Sequence, residues 1–134
     1  MGCDIHIVLE KQIEGKWTLY DQPRCSDYNK HHIDDRNYCF FYKLAQVRGF
    51  VGDDHGLEPK GLPEDVSVGT KDLSDTWGPD GHSHSWIPLW DFCRLYEKCG
   101  GKHPEADFET ACEVWSNSKP EKYEPYRVVF WFDN

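Results

Sequence analysis

The segment that most limits the fold lies near the end of the chain. Residues 127–132 read Arg-Val-Val-Phe-Trp-Phe, a continuous run of β-branched and aromatic residues after one arginine. Side chains alternate between the two faces of a strand, so a run that is apolar at consecutive positions is typical of a strand buried on both faces. We predict a central strand here.

A second strand is predicted at the start of the chain. Residues 4–10 alternate with period two, which places Ile5, Ile7 and Leu9 on one face. The opposite face carries Asp4, His6, Val8 and Glu10. A Glu-Gly-Lys turn at 14–16, followed by Trp17 and Leu19, predicts a β-hairpin.

Helical spacing predicts three helices. The first is capped by Asp34 or Asp35 and ends near Gly49, with an apolar stripe at Phe40, Phe41, Leu44 and Val47. The second is capped by Ser85 and ends at Gly100-Gly101, with Pro88 in its first turn and a stripe at Leu89, Phe92, Cys93 and Tyr96. A shorter third helix fits residues 104–115.

Residues 49–84 are dense in Gly, Pro and Asp without a sustained period, and we predict one long ordered loop there. The predicted fold class is α+β, a small antiparallel sheet containing the N- and C-terminal strands with two to three helices. A chain of 134 residues has the size of a single domain, 1–134.

The charge of the chain excludes one class of partner. Asp and Glu number 24 against 15 Lys and Arg, a formal charge of −9. Affinity for nucleic-acid polymers depends largely on neutralising phosphates, so we expect no such partner, whereas a small nucleotide remains possible. No stretch is apolar for long enough to cross a membrane. A homodimer is possible.

Six cysteines are spread along the chain without a C-x-x-C pair. Because the N-terminus also lacks the pattern of a secretory signal, we expect reduced thiols and a cytoplasmic protein.

The polar face of the first strand is one candidate site. A histidine between two carboxylates suits a general base, a metal ligand or a salt-bridged structural residue. Side chains that merely face water are the alternative for Asp4, His6 and Glu10.

The sequence His-Ser-His-Ser-Trp at 82–86 is a second candidate, placed by prediction at a helix N-terminus that would favour a phosphate. There Ser83 and Ser85 offer hydroxyls, His82 and His84 offer proton transfer, and Trp86 can stack on a base. A capped helix without function and a zinc site are the alternatives.

Two further groups are candidates for ligand binding. Arg36, Asn37 and Tyr38, with Arg48 further on, can grip a phosphate or a base edge, although Arg36 can equally pair with a neighbouring aspartate. Asp65 and Ser67 follow a Gly-Leu-Pro turn and offer an acid and a hydroxyl.

Together these motifs resemble a family of small proteins encoded by bacteriophages and prophages. The resemblance runs from the first residue to the last, and its motifs are Met-Gly-Cys-Asp-Ile-His at 1–6, Arg-Asn-Tyr at 36–38 with Leu-Ala-Gln-Val-Arg at 44–48, Gly-Leu-Pro-Glu-Asp-Val-Ser at 61–67, His-Ser-His-Ser-Trp at 82–86 and the ending at 127–134. Family members more often carry Arg where this chain has Lys60. The resemblance implies a viral protein in the host cytosol and implies no reaction.

We predict a counter-defence enzyme that cleaves a phosphodiester of a cyclic oligonucleotide signal. His6 and His82 form the acid–base pair, while Ser83 and Arg48 stabilise the phosphate. No cofactor is required, although a divalent metal held by Asp4, His6 and His82 is a second choice. The alternatives are a non-catalytic protein that sequesters the nucleotide and an acidic inhibitor of a host protein.

Overall fold

The computed structural model describes residues 2–22, 37–48, 56–100 and 124–133. In chain order the elements are β1 (Asp4–Ile13), β2 (Lys16–Asp21), α1 (Tyr38–Ala45), α2 (Val68–Trp77), β3 (Gly81–Pro88), α3 (Leu89–Lys98) and β4 (Tyr126–Asp133). A single 3₁₀ turn, Gly78–Asp80, joins α2 to β3. Within the described ranges, no helix is long and apolar enough to cross a bilayer.

The four strands form one antiparallel sheet in the order β2-β1-β4-β3. The N- and C-terminal strands pair along their length, from Asp4 opposite Asp133 to Lys11 opposite Tyr126. Glu14 and Gly15 form the two-residue turn of the hairpin, and both have the positive φ that such a turn requires. The predicted α+β class, hairpin and internal C-terminal strand are all confirmed.

Helices cover both faces of the sheet, which explains why β4 is apolar at consecutive positions. On one face, Ile5, Ile7 and Leu9 pack with side chains of α1 and α3. On the other face, Val8, Val129 and Trp131 pack against partly buried side chains that include Leu73 of α2. Every residue of β4 from Tyr126 to Phe132 is buried.

Residues 49–84 differ from the long loop that we predicted. Residues 68–77 form α2, and residues from 81 onward belong to β3. Ser67 caps α2 by accepting a hydrogen bond from the backbone N–H of Thr70. The helix Val-Gly-Thr-Lys-Asp-Leu-Ser-Asp-Thr-Trp has few apolar residues, so its sequence gives little helical periodicity.

The predicted start of the second helix is also wrong. Residues 81–88 are extended and pair with β4, so Ser85 lies inside a strand and α3 begins at Leu89. Pro88 fits this boundary because the residue before a proline avoids the helical region. The predicted apolar stripe of this helix is confirmed, since Leu89, Phe92, Cys93 and Tyr96 are all buried.

The cap of α1 is Asn37, whose side chain accepts from the backbone N–H of Phe40. The helix ends at Ala45, earlier than the predicted Gly49, and Gln46 follows with a left-handed backbone. The predicted caps Asp34 and Asp35 and the predicted helix over 104–115 lie outside the described residues.

The expectation of six reduced thiols is wrong for two of them. Cys39 near the start of α1 and Cys99 after α3 form a disulfide with a Cα–Cα distance of 5.7 Å. Cys3 and Cys93 are buried and are not disulfide-bonded.

Candidate active site

The first candidate group joins the two terminal strands. His6 of β1 hydrogen-bonds through Nε2 to Oδ2 of Asp133, the last residue of β4, and both side chains are about one-fifth exposed. Strand register explains the contact, because Asp4 and His6 lie opposite Asp133 and Trp131 on the sheet face that α2 covers. A carboxylate that holds one ring nitrogen fixes the orientation and the tautomer of an imidazole.

Sequence reasoning missed Asp133 as a site residue. Alternation along β4 and the antiparallel pairing of the terminal strands together place it beside His6. The available signal was therefore the Phe-Asp-Asn ending read together with the strand pairing.

The His6 ring lines an open pocket of about 150 Å³, which we call the His6 pocket. Trp77, at the end of α2, packs on the imidazole with a centroid distance of 4.0 Å, and the Trp131 ring lies 5.9 Å from the imidazole. Trp77 remains 37% exposed, whereas Trp131 is buried. The pocket therefore combines one oriented imidazole with two indole rings.

Trp131 also carries a polar group without a partner. Its indole Nε1 is buried and makes no hydrogen bond with any residue in the described part of the chain. A buried donor in this state costs about 1–3 kcal/mol. The Cδ1 atom next to this nitrogen lies close to Gly81, where a Cβ would sit 3.4 Å from it.

The structure does not bring His82 to His6. His82 pairs with Phe132, whose side chain belongs to the core under α1 and α3, whereas His6 pairs with Trp131 on the other face. A bulge between His82 and Ser85 then changes the alternation of β3. The predicted acid–base pair of His6 and His82 is thus divided between opposite faces of the sheet.

Ser83 lies in this bulge and not at a helix N-terminus. Its backbone has a φ of 55°, and its hydroxyl is 3.0 Å from Nδ1 of His82. A positive φ is uncommon for a residue with a side chain and stores strain. The structure therefore gives Ser83 a local partner in His82 and separates it from the His6 pocket.

His84 returns to the face of His6. Its ring stacks on Trp131 with a centroid distance of 5.8 Å, on the side of β4 opposite β1. Burial lowers the pKa of His84, and the nearby His82 and Lys71 add to the effect. His84 lines a separate open pocket with Lys71 and Ser74.

Ser85 and Trp86 have structural partners. The Ser85 hydroxyl accepts a hydrogen bond from the backbone N–H of Lys60 at 3.1 Å. The ammonium group of Lys60 lies 3.7 Å from the centre of the Trp86 ring, and the guanidinium of Arg127 lies 5.5 Å from it. Cation–π contacts of this kind hold the tryptophan in place.

Asp65 and Ser67 belong to an ionic network around the buried carboxylate of Glu10. Arg127 donates through Nε to Glu10 at 2.7 Å and through Nη1 to Asp65 at 2.8 Å. The second oxygen of Glu10 accepts from the backbone N–H of Ser67 at 3.0 Å and from the Thr70 hydroxyl at 2.7 Å. This network attaches α2 and the preceding turn to the sheet.

Burial alone would raise the pKa of Glu10. The hydrogen bonds from Ser67, Thr70 and Arg127 outweigh this effect and leave the pKa below its ordinary value. Asp65 is mostly exposed, and its hydrogen bond with Arg127 lowers its pKa.

Two of the remaining predicted residues lie beside the start of β1. The Tyr38 hydroxyl accepts from the backbone N–H of Cys3 at 3.3 Å, and Arg48 lies over the Tyr38 ring at 5.4 Å. Burial raises the pKa of the Cys3 thiol, while a hydrogen bond with Arg48 acts against the rise. Arg48 is thus near the sheet end that holds Asp4 and Asp133, which also act on this thiol.

Asn37 has a structural role, and Arg36 lies outside the described residues. Besides capping α1, the Asn37 side chain donates to the backbone carbonyl of Cys99 at 3.2 Å.

The second-choice metal set is not assembled. Asp4 and His6 share a face, but His82 lies on the other. Across the described ranges, no group of three His, Cys, Asp or Glu side chains is arranged to hold a metal ion.

Comparison with known proteins gives no relative for this chain. No family model, curated protein or solved structure matches it.

Proposed function

We propose that the protein is a phage-encoded hydrolase that acts on a phosphodiester of a nucleotide immune signal in the host cytosol. His6 is the general base, and Asp133 orients it. The observation that supports the proposal most is the His6–Asp133 hydrogen bond at the wall of an open, aromatic pocket. The viral setting comes from the sequence resemblance.

The chemistry needs one histidine with one ring nitrogen available to substrate. Asp133 holds Nε2, so the other nitrogen, Nδ1, takes the proton from an attacking 2′-hydroxyl or water as its oxygen bonds to phosphorus. The bond from phosphorus to the leaving oxygen then breaks, and the imidazolium returns the proton to that oxygen. The carboxylate stabilises the imidazolium that forms. A positioned base of this kind accelerates proton transfer by about 10²- to 10⁴-fold. His82 has no part in this mechanism because it lies on the opposite face of the sheet.

The size of the His6 pocket limits how the substrate binds. A cavity of about 150 Å³ accepts one aromatic ring or one phosphodiester. Only one part of a cyclic oligonucleotide therefore enters, and the rest lies over the surrounding surface. The exposed side of Trp77 is available to stack on a base.

Sequestration without turnover is the second candidate. The exposed part of the Trp77 ring favours it, because stacking retains a nucleotide without any chemistry. Binding and hydrolysis use the same pocket, so the two functions differ in the product alone.

Purified protein should be incubated with a panel of cyclic di- and trinucleotides and ADP-ribose derivatives, and each mixture analysed by liquid chromatography before and after heat denaturation. A new product identifies the hydrolase, and a ligand that disappears and returns intact on heating identifies sequestration. If no ligand is converted or retained, both candidates are wrong.

Variants test the catalytic assignment. We expect His6→Gln to lower the rate by about 10²-fold or more, and Asp133→Asn to lower it less. His82→Gln is the matched control, the same change on the opposite face, and it should keep the rate of the parent protein. Loss of activity in His82→Gln together with normal activity in His6→Gln would reverse the assignment.

A further inference from the structure

A second cavity lies between α1 and α3, on the sheet face opposite the His6 pocket. This groove has a volume of about 390 Å³, which is within the range of small-molecule sites. Apolar side chains of Leu57, Ile87 and Leu95 line it, together with the cations Lys43, Arg94 and Lys98 and a single acid, Asp91. We call it the α1–α3 groove.

The charge of the groove is opposite to that of the chain. Three of the 15 Lys and Arg residues line it, in a protein with a formal charge of −9. Arg94 and Lys98 are four residues apart on α3, so they lie on the same side of that helix, and Lys43 approaches from the last turn of α1. The arrangement concentrates positive potential at one place on an acidic surface.

The two cations of α3, Arg94 and Lys98, remain available to an incoming anion. Arg94 pairs with Glu97 at 3.6 Å, but both side chains are mostly exposed, and ion pairs of this kind contribute little. Its guanidinium also lies 5.7 Å from the Trp90 ring. Lys98 makes no ion pair within the described part of the chain. A phosphate or sulfonate can therefore replace a weak contact at Arg94 and gain a new one at Lys98.

The floor of the groove is apolar and held in place. Ile87 is buried in β3, whereas Leu57 is 46% exposed. The backbone N–H of Leu57 donates to the carbonyl of Lys43 at 3.0 Å, which fixes the leucine beside α1. Gly56 makes this close approach possible, because a Cβ there would lie 2.0 Å from the carbonyl oxygen of Tyr42.

We propose that the α1–α3 groove is a binding site for a small anion that carries a phosphate, sulfonate or carboxylate on a flat apolar body. The cations recognise the anionic group, and Leu57 with Ile87 contacts the body. This site shares no lining residue with the His6 pocket and does not depend on the proposed function.

Two probes test the shared chemistry and separate its sources. Adenosine monophosphate represents nucleoside phosphates, and anilinonaphthalene sulfonate represents other apolar anions. Affinities are measured by titration calorimetry and fluorescence, with uncharged adenosine as the control. We expect at least one of the two anions to bind, with an affinity that falls as the salt concentration rises from about 20 to about 200 mM. If adenosine monophosphate binds, adenosine should bind at least tenfold more weakly.

Variants locate the binding. Arg94→Gln and Lys98→Gln should each weaken the bound probe by about 3- to 10-fold, and the double variant by more. Lys16→Gln, at the exposed start of β2, makes the same change of charge outside the groove and should leave the affinity unchanged. His6→Gln should also bind normally, which separates this site from the proposed active site.

The outcomes are distinct. Binding of the monophosphate assigns the groove to nucleoside phosphates, and binding of the sulfonate alone assigns it to other apolar anions. The proposal is overturned if neither probe binds, if adenosine binds as tightly as its monophosphate, or if Lys16→Gln weakens binding as much as Lys98→Gln does.

Discussion

The buried pair of Arg127 and Glu10 permits the sharpest prediction of stability. The Glu10 side chain is fully buried, and that of Arg127 is 4% exposed. Arg127→Met preserves most of the apolar length of the side chain but removes the guanidinium. Glu10 then stays as a buried carboxylate with only Ser67 and Thr70 as donors.

The expected loss is large for one residue. Breaking a buried ion pair by removing one partner costs about 3–5 kcal/mol, because the remaining charge is left uncompensated. The substitution also removes the contact between the guanidinium and the Trp17 ring, 4.1 Å from its centre. Since domains of this size are stable by about 5–15 kcal/mol in total, the substitution should remove a large part of the free energy of unfolding.

The measurement is urea unfolding followed by tryptophan fluorescence, with free energies from linear extrapolation. Arg94→Met is the matched control, because Arg94 is exposed and its ion pair with Glu97 is weak. That substitution should change the free energy of unfolding by less than about 1 kcal/mol.

A double-mutant cycle identifies the cause. In a Glu10→Gln background, Arg127→Met leaves no uncompensated carboxylate behind, so it should cost at least about 1.5 kcal/mol less than it does in the parent protein. If Arg127→Met is as stable as Arg94→Met, or if its cost is the same in both backgrounds, then uncompensated charge does not dominate at this site and our reasoning is refuted.

Four more predictions concern pH, the core, the pocket and the disulfide. The pKa of folded Glu10 lies below the ordinary value of 4.5, so the stability that its carboxylate contributes should be complete above about pH 4.5 and should disappear as the pH falls through the folded pKa. The free energy of unfolding, measured in urea between about pH 3 and 7, should therefore vary less with pH in Glu10→Gln than in the parent protein. Trp131→Ala should lower the free energy of unfolding by about 3–5 kcal/mol, and Trp131→Phe should lower it less because it also removes an unpartnered donor; equal losses would contradict this account. Trp77→Ala should weaken binding of the signal nucleotide by about 5- to 150-fold in calorimetry with little loss of stability, and unchanged affinity would exclude stacking on Trp77. Cys39→Ser should lower the free energy of unfolding of the oxidised chain by about 2–4 kcal/mol and should have no such effect under reducing conditions. A loss that persists in reductant would show that side-chain packing, and not the disulfide, causes it.

Three of the four strands, β1, β2 and β4, were predictable because their signals are local, whereas β3 was not predicted. Alternation identified Ile5, Ile7 and Leu9 as one face of β1, and the apolar run identified β4 as internal. The helix α2 gave no such signal, because most of its residues are polar and its position depends on the distant Glu10. Helical periodicity can be detected in a sequence only when the buried face of the helix consists of apolar residues.

The candidate site was predictable only in part. His6 has a clear signal on the polar face of β1, whereas Asp133 joins it through the pairing of residues 127 positions apart. The face of His82 was decided by the bulge in β3, and a single sequence contains no marker for that irregularity. Prediction failed where long-range pairing or local irregularity, and not residue type, sets the geometry.

The pairing of the first strand with the last also has a consequence for synthesis on the ribosome. Glu10 and Arg127 are 117 positions apart, so β1 cannot meet β4 until all of the intervening chain has been made. Contacts this distant in sequence form slowly, because a large loop must close before they are gained. During that interval β1 has only its hairpin partner β2, joined by a local two-residue turn, and Ile5, Ile7 and Leu9 lack the layer that later covers them. The nascent chain should therefore be most vulnerable to proteases and to association with other chains just before β4 emerges.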